Sequence, residues 1–136
     1  MSHYTIVCTE LSDTETLIEA LVTLGFKRQV IEVHKEAQTL FGYQGDARPQ
    51  KAHVIIRRKN TGLGASNDVG FEKQANGKYK AHISDYDRGS FNDMWMAKLR
   101  QEYAVAGITK KVRGQGKMVS TKREKDGRVK IEITGY

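Results

Sequence analysis

One cysteine, Cys8, leaves no partner for an internal disulfide and excludes a zinc site built from several thiolates. That thrift fits a reducing compartment. A single proline among thirteen glycines implies many tight turns and few rigid corners. No apolar run approaches the ~18–20 residues that a membrane-crossing helix needs. The opening Met1-Ser2-His3-Tyr4 has neither a basic stretch nor a long apolar one, so no signal peptide is expected and a cytoplasmic location is. At 136 residues, 38% hydrophobic and 29% charged, the chain fits one folded domain, 1–136, large enough to close a core.

Charge is what the chain has in excess, and it is unevenly placed. From Lys98 to Lys130 there are eleven basic and three acidic residues, a net +8 against +7 for the whole chain. Clustered cations act on polyanions far more strongly than scattered ones.

Tyr4 to Thr9 is rich in β-branched residues and predicts a strand. Ser12-Asp13-Thr14-Glu15 fits a capping box, with Ser12 as the cap. Leu17, Ile18, Leu21 and Leu24 then recur at helical spacing, and Gly25 suits a left-handed cap with Phe26 folding back. Val30 to Val33 predicts a short strand. Glu36 to Gln50 predicts a loop, with Leu40, Phe41 and Tyr43 as a strand edge. Ala52 to Arg58 is a strand and Asn60 to Asn67 a flexible connection. Val69 to Gln74 and Lys78 to Ser84 form a hairpin about Asn76-Gly77.

A second helix follows, with Ser90 as the cap, Phe91, Trp95, Leu99 and Tyr103 as its buried face, and an interruption at Gly107. Ile108 to Arg113 adds a short turn. Lys117 to Lys122 and Arg128 to Thr134 close the chain as a hairpin about Asp126-Gly127, with Val129, Ile131 and Ile133 facing the core. The class is α+β: a mainly antiparallel sheet of five or six strands with two helices packed on one face.

Several segments match a known pattern: Met1-Ser2-His3-Tyr4, the helix from Leu17 to Gly25, Gly42-Tyr43-Gln44-Gly45, Asp68-Val69-Gly70-Phe71, Asn76-Gly77-Lys78-Tyr79, Gln101 to Val105 and Asp126 to Ile131. In this order the chain resembles a conserved hypothetical protein of cyanobacteria and red-algal plastid genomes, one of the domain-of-unknown-function families. The resemblance implies a compact fold and hands over no catalytic residues. The chain departs from that pattern in a more basic run from Ile108 to Gly116 and an insertion-like connection about Gly62 to Asn67.

Catalytic and metal chemistry has little support. His3, His34, His53 and His82 lack ligand spacing, although His53 and His82 could meet if their strands were adjacent. Cys8 would need a neighbouring imidazole to act as a nucleophile, and a small core thiol is the plainer reading. Asp85, Asp87 and Asp93 could hold a cation, or cap a helix. Gly62-Leu63-Gly64 lacks the third glycine of a dinucleotide loop. Arg113-Gly114-Gln115-Gly116-Lys117 could bring backbone N–H groups to an anion, or could simply connect. No enzyme, metal or cofactor is expected.

The basic region remains. Lys110, Lys111, Arg113, Lys117, Lys122, Arg123 and Lys125 form one stripe if the last hairpin packs beside the second helix, and Arg57, Arg58 and Lys59 could extend it. The expectation is a non-enzymatic binding protein whose basic C-terminal face holds nucleic acid. The alternative is an adaptor for an acidic protein partner, reached through an edge strand at Ala52 to Arg58 or the last hairpin.

Overall fold

The computed structural model describes the backbone of residues 4–8 and residues 11–135 in full. His3, Thr9 and the Cys8 side chain lie outside the described part. The elements run β1 (Tyr4–Cys8), α1 (Thr14–Thr23), β2 (Ile31–Phe41), β3 (Ala47–Ile56), β4 (Val69–Lys73), β5 (Tyr79–Ser84), α2 (Asp93–Gly114), β6 (Met118–Arg123) and β7 (Val129–Thr134), with short 3-10 turns before β2, after β3 and after β5. The class is α+β. Five strands form one antiparallel sheet in the order β1-β5-β4-β3-β2, and β6 and β7 form a separate two-stranded sheet.

Period-two alternation puts Val54, Phe71 and Ala81 in register across β3, β4 and β5, beside the pair Ile56 and Val69. These side chains are fully buried against Leu17, Ile18 and Leu21 of α1 and Met96 and Leu99 of α2. The apolar stripes of both helices are thus spent on the same face of the sheet. Phe26 folds back through Phe26 N–H to Leu21 O, 3.2 Å, with Gly25 at φ +113°. Its ring meets Phe91 at 6.4 Å and Trp95 at 6.5 Å, closing the end of the helix pair.

Each helix begins at a carboxyl or amide cap later than expected. Asp13, not Ser12, caps α1: its Oδ2 accepts from Thr16 N, 3.0 Å, and from the Thr16 hydroxyl. Ser12 and Asp13 instead give their backbone N–H groups to the Tyr103 hydroxyl, at 3.1 and 2.9 Å, which ties the entry of α1 to α2. Asn92 replaces Ser90 as the cap of α2, accepting from Trp95 N at 2.9 Å.

The Asp13 cap has a sign that can be checked. The Thr16 hydroxyl and then its backbone N–H hold the carboxyl below its ordinary value, with Lys110 and Lys73 adding attraction against the opposing pull of burial. A depressed carboxyl stabilises the fold above the ordinary carboxylate range, about pH 4, and loses that contribution as pH falls through its folded value. Asp13→Ala is expected to cost about 1 kcal/mol near neutrality in urea unfolding. The gap from wild type should close below about pH 4. A gap independent of pH would assign the loss to something other than the charged cap.

Three expectations need correcting. The stretch Glu36 to Gln50 is no loop. The strands β2 and β3 extend into it and turn at Gly42–Asp46, closed by Gly42 N–H to Asp46 O, 2.8 Å, with Gly45 at φ +79°. Pro49 is tolerated because β4 pairs only with Val54, Ile55 and Ile56, leaving this part of β3 with β2 as its neighbour. The helix α2 is not interrupted at Gly107. It runs 22 residues, about 33 Å, to Gly114. Gly107 faces α1, where an added Cβ would lie 3.8 Å from Thr16 Cγ2, and Val112 beyond it is buried. Packing against α1 thus outweighs the intrinsic cost of one glycine, about 1 kcal/mol.

The last hairpin, finally, does not deliver β7 to the main core. Val129 and Ile131 are half-buried beside α2 and Ile133 is 48% exposed. The uninterrupted α2 carries the chain away before the hairpin folds back on that helix.

Candidate functional site

The helix–hairpin unit is built by α2 and the β6–β7 pair. The register places Val119, Thr121 and Arg123 opposite Ile133, Ile131 and Val129 on one face of the hairpin, and Met118, Ser120 and Lys122 opposite Thr134, Glu132 and Lys130 on the other. The first face meets α2. Arg123 grips Glu102 through both terminal guanidinium nitrogens, Nη1 to Oε2 and Nη2 to Oε1, the latter at 2.8 Å. Gln101 Nε2 donates to Gly127 O at 2.9 Å. Glu102 is 7% exposed, and its bond raises the Arg123 pKa. So the hairpin does pack beside the second helix, but Arg123 is used to hold it there.

The expected cations therefore fall into distinct settings. Lys110 and Arg113 line a shallow groove of about 330 Å³ with Glu19, Ala106 and Thr109, between the two helices. Lys111 is exposed at the end of α2, and Lys117 is half-buried in the following turn. Lys122 stands opposite Lys130 on the outer face of the hairpin, and Lys125 is exposed at its tip. Arg128 is paired with Asp126 at 2.7 Å and Lys130 with Glu124 at 3.9 Å. Among the described residues, Lys110, Lys111, Arg113, Lys117, Lys122 and Lys125 make no ion pair within 4.0 Å.

Arg57 and Arg58 belong elsewhere. Arg57 Nε donates to Glu32 at 3.0 Å, and its Nη1 donates to Asp68 at 2.8 Å and to Thr39 O at 2.9 Å. Burial works against the cation, and the bonds to Glu32 and Asp68 outweigh it, so its pKa is raised. Burial likewise opposes Glu32, whose carboxyl is nonetheless held below its ordinary value by Arg57 and His34. Arg58 Nη1 donates to Tyr43 O at 2.9 Å. With Lys59, Phe41 and Gly45 these groups line a separate cavity of about 550 Å³. They serve the ends of the sheet and do not extend the helix–hairpin cations.

The remaining candidates are structural. The Arg113–Lys117 turn is the C-terminal cap of α2: Gln115 N and Lys117 N donate to Val112 O, and Gly116 N to Arg113 O. Its N–H groups are consumed, and a helix C-terminus repels anions, so no anion loop forms there. Asp87, 2% exposed, accepts from Asn67 N at 3.0 Å, whereas Asp93 pairs with Arg88 at the surface. Asp85 lies in the 3-10 turn and gives its carbonyl to Arg88 N. Asp87 and Asp93 are thus committed to different partners. The strands carrying His53 and His82 are not adjacent, since β4 lies between them. His82 meets Glu72 at 2.8 Å and His34 meets Glu32 at 2.8 Å. Among the described residues no group of three His, Cys, Asp or Glu could hold a metal, and no helix is long and apolar enough to cross a membrane.

Two features were missed in the sequence. Tyr43 and Tyr86 stack at 5.9 Å and 11° on the surface, although 43 residues apart in the chain. The buried Asp68 joins three strand ends. No local pattern announces either, because both depend on the long β2–β3 hairpin.

No curated protein and no solved structure shows significant similarity to this chain. A family model does match, over residues 20–131, which bears out the resemblance to a domain-of-unknown-function family. The chain belongs to DUF1257, a family of proteins of unknown function.

Proposed function

We propose that this is a non-enzymatic binding protein whose helix–hairpin unit holds an acidic partner, nucleic acid in the first place. One observation carries the reading: Lys110, Lys111, Arg113, Lys122 and Lys125 are exposed and, among the described residues, without an internal ion pair. Placing Lys122 directly opposite Lys130 costs the hairpin stability, which an external anion would return. Each cation that meets a phosphate releases counterions, so binding rises as salt falls.

The test is fluorescence anisotropy with labelled oligonucleotides across a salt series. Lys110→Ala, Lys111→Ala and Arg113→Ala together should weaken every sequence alike and flatten the slope of log affinity against log salt by about 3. An unchanged slope in the triple variant overturns the reading. A second reading is an adaptor for an acidic protein. Its edge at Ala52 to Arg58 is closed over Val54, Ile55 and Ile56, which β2 and β4 pair from either side. The outer edges of the two-stranded hairpin, with Met118 75% exposed, still favour it. A complex indifferent to nuclease would select it.

A further inference from the structure

The β2–β3 ladder contains an irregularity that borders an open cavity. Between Val33 and Gln38 the strand β2 advances five residues while β3 moves back two, from Val54 to Ala52. The extra residues leave the ladder, and such bulges commonly re-aim side chains beside functional sites. Here they bring His34 and Lys35 to the rim of a cavity of about 600 Å³, together with Val33, His53 of β3, Lys73 and Gln74 at the end of β4, Ala75, Tyr79 of β5 and Thr14 of α1. That volume lies in the range of small-ligand sites, about 300–1,000 Å³.

The lining is cationic and without a carboxylate. Two lysines and two imidazoles come from three strands. His53 Nδ1 accepts from Lys73 N–H at 3.0 Å, which leaves Nε2 as the ring nitrogen open to another partner. The same bond anchors the backbone at Lys73. The Lys73 ammonium stands 6.0 Å from the Tyr79 ring centre, and the Tyr79 hydroxyl is tied to Thr14 Oγ1 at 2.6 Å. Acids adjoin the lining without entering it: Glu32 is held by Arg57 and by the lining His34, Asp13 by Thr16 and Glu72 by His82, while Glu36 follows Lys35 in the chain. Of these, Asp13 is close enough to Lys73 to be stabilised by it.

We propose that this cavity binds a small phosphate-bearing ligand. The Lys35 and Lys73 ammonium groups and His53, brought to one rim by three strands, suit a tetrahedral, doubly charged group with oxygens on all sides. A planar carboxylate is better met by the fork of an arginine, and none lines the cavity. The half-exposed Val33, the Ala75 methyl and the Tyr79 ring leave room for an apolar or ring portion of the ligand. None of the lining residues belongs to the helix–hairpin unit, so this site stands or falls apart from the polyanion reading.

The test is a series of amide ¹H–¹⁵N spectra at constant ionic strength, titrating sodium phosphate, then ADP, then sodium acetate against sodium chloride. Phosphate and ADP should shift the amides of Lys35, Lys73, Gln74 and Ala75 saturably, and acetate should not. Lys35→Ala with Lys73→Ala should weaken phosphate binding at least tenfold with an unchanged melting temperature, since Lys35 and Lys73 are exposed. The Lys110, Lys111 and Arg113 alanine variant should bind phosphate in the cavity as wild type does. Shifts that do not saturate, an equal response to acetate, or undiminished binding by the Lys35, Lys73 variant each overturn the proposal.

Discussion

Asp68→Ala is expected to lower the unfolding free energy by about 3–5 kcal/mol, the scale seen when one partner of a buried ion pair is removed. Asp68 is 1% exposed. One carboxylate oxygen accepts Phe41 N at 2.8 Å and Arg57 Nη1 at 2.8 Å, and the other accepts Arg58 N at 2.7 Å. Its own N–H donates to Phe41 O at 2.9 Å. One side chain thus joins the end of β2, the end of β3 and the start of β4. Alanine would leave two backbone N–H groups and a largely buried guanidinium short of an acceptor, each with its full desolvation penalty. Asp68→Asn keeps one acceptor oxygen but turns an NH₂ group toward donors, so its loss should be intermediate. Urea midpoints at constant m-value decide the matter. A loss under about 1 kcal/mol would mean that Glu32 and water take over the role.

Gly70→Ala should be nearly as damaging for the opposite reason, too much matter in place of too little. Gly70 sits in β4 between Ile55 and His82. A Cβ there would lie 2.5 Å from Ala52 Cβ and 2.9 Å from Leu40 Cδ2. Leu40, Ala52 and Ile55 form a small apolar cluster of their own, all fully buried. The glycine is the space into which that cluster closes. Overfilling a packed core costs about 1–3 kcal/mol, and the short contact with a stiff Ala52 methyl puts this site at the upper end. Ala52→Gly in the same chain should recover part of the loss, because it removes the nearest clash while Leu40 can swing its methyls. Additive losses in the double variant would sink this explanation.

The residues that could be read in advance are those whose role is decided within a few positions. Leu17, Ile18 and Leu21 announce α1, and Leu99 with the half-buried Trp95 and Tyr103 announces the inner side of α2, because a 3.6-residue period needs no partner to be visible; Phe91, read as part of that face, is buried ahead of the Asn92 cap. Asn76-Gly77 and Asp126-Gly127 specify their turns by the same local logic, with both glycines at positive φ. The failures share a different cause. His34 to Ala37 carry no apolar alternation, since the bulge takes them out of the ladder, so the chain from Glu36 onward read as a loop. Gly107 signals a break, yet the contact with Thr16 of α1 lies 91 residues away. Arg57 and Arg123 looked like free cations because the acids that hold them, Asp68 and Glu102, are brought close only by the folded chain.

The hairpin built from β6 and β7 has a further consequence. A two-stranded ribbon is barely stable alone in water, and this one is fastened to the body chiefly by Arg123, Gln101 and a few half-buried side chains. Its opening should therefore need less free energy than disruption of the five-stranded core, giving the molecule two clocks. Whatever strengthens the Arg123–Glu102 grip should slow the faster clock toward the slower one, and Arg123→Ala should quicken it.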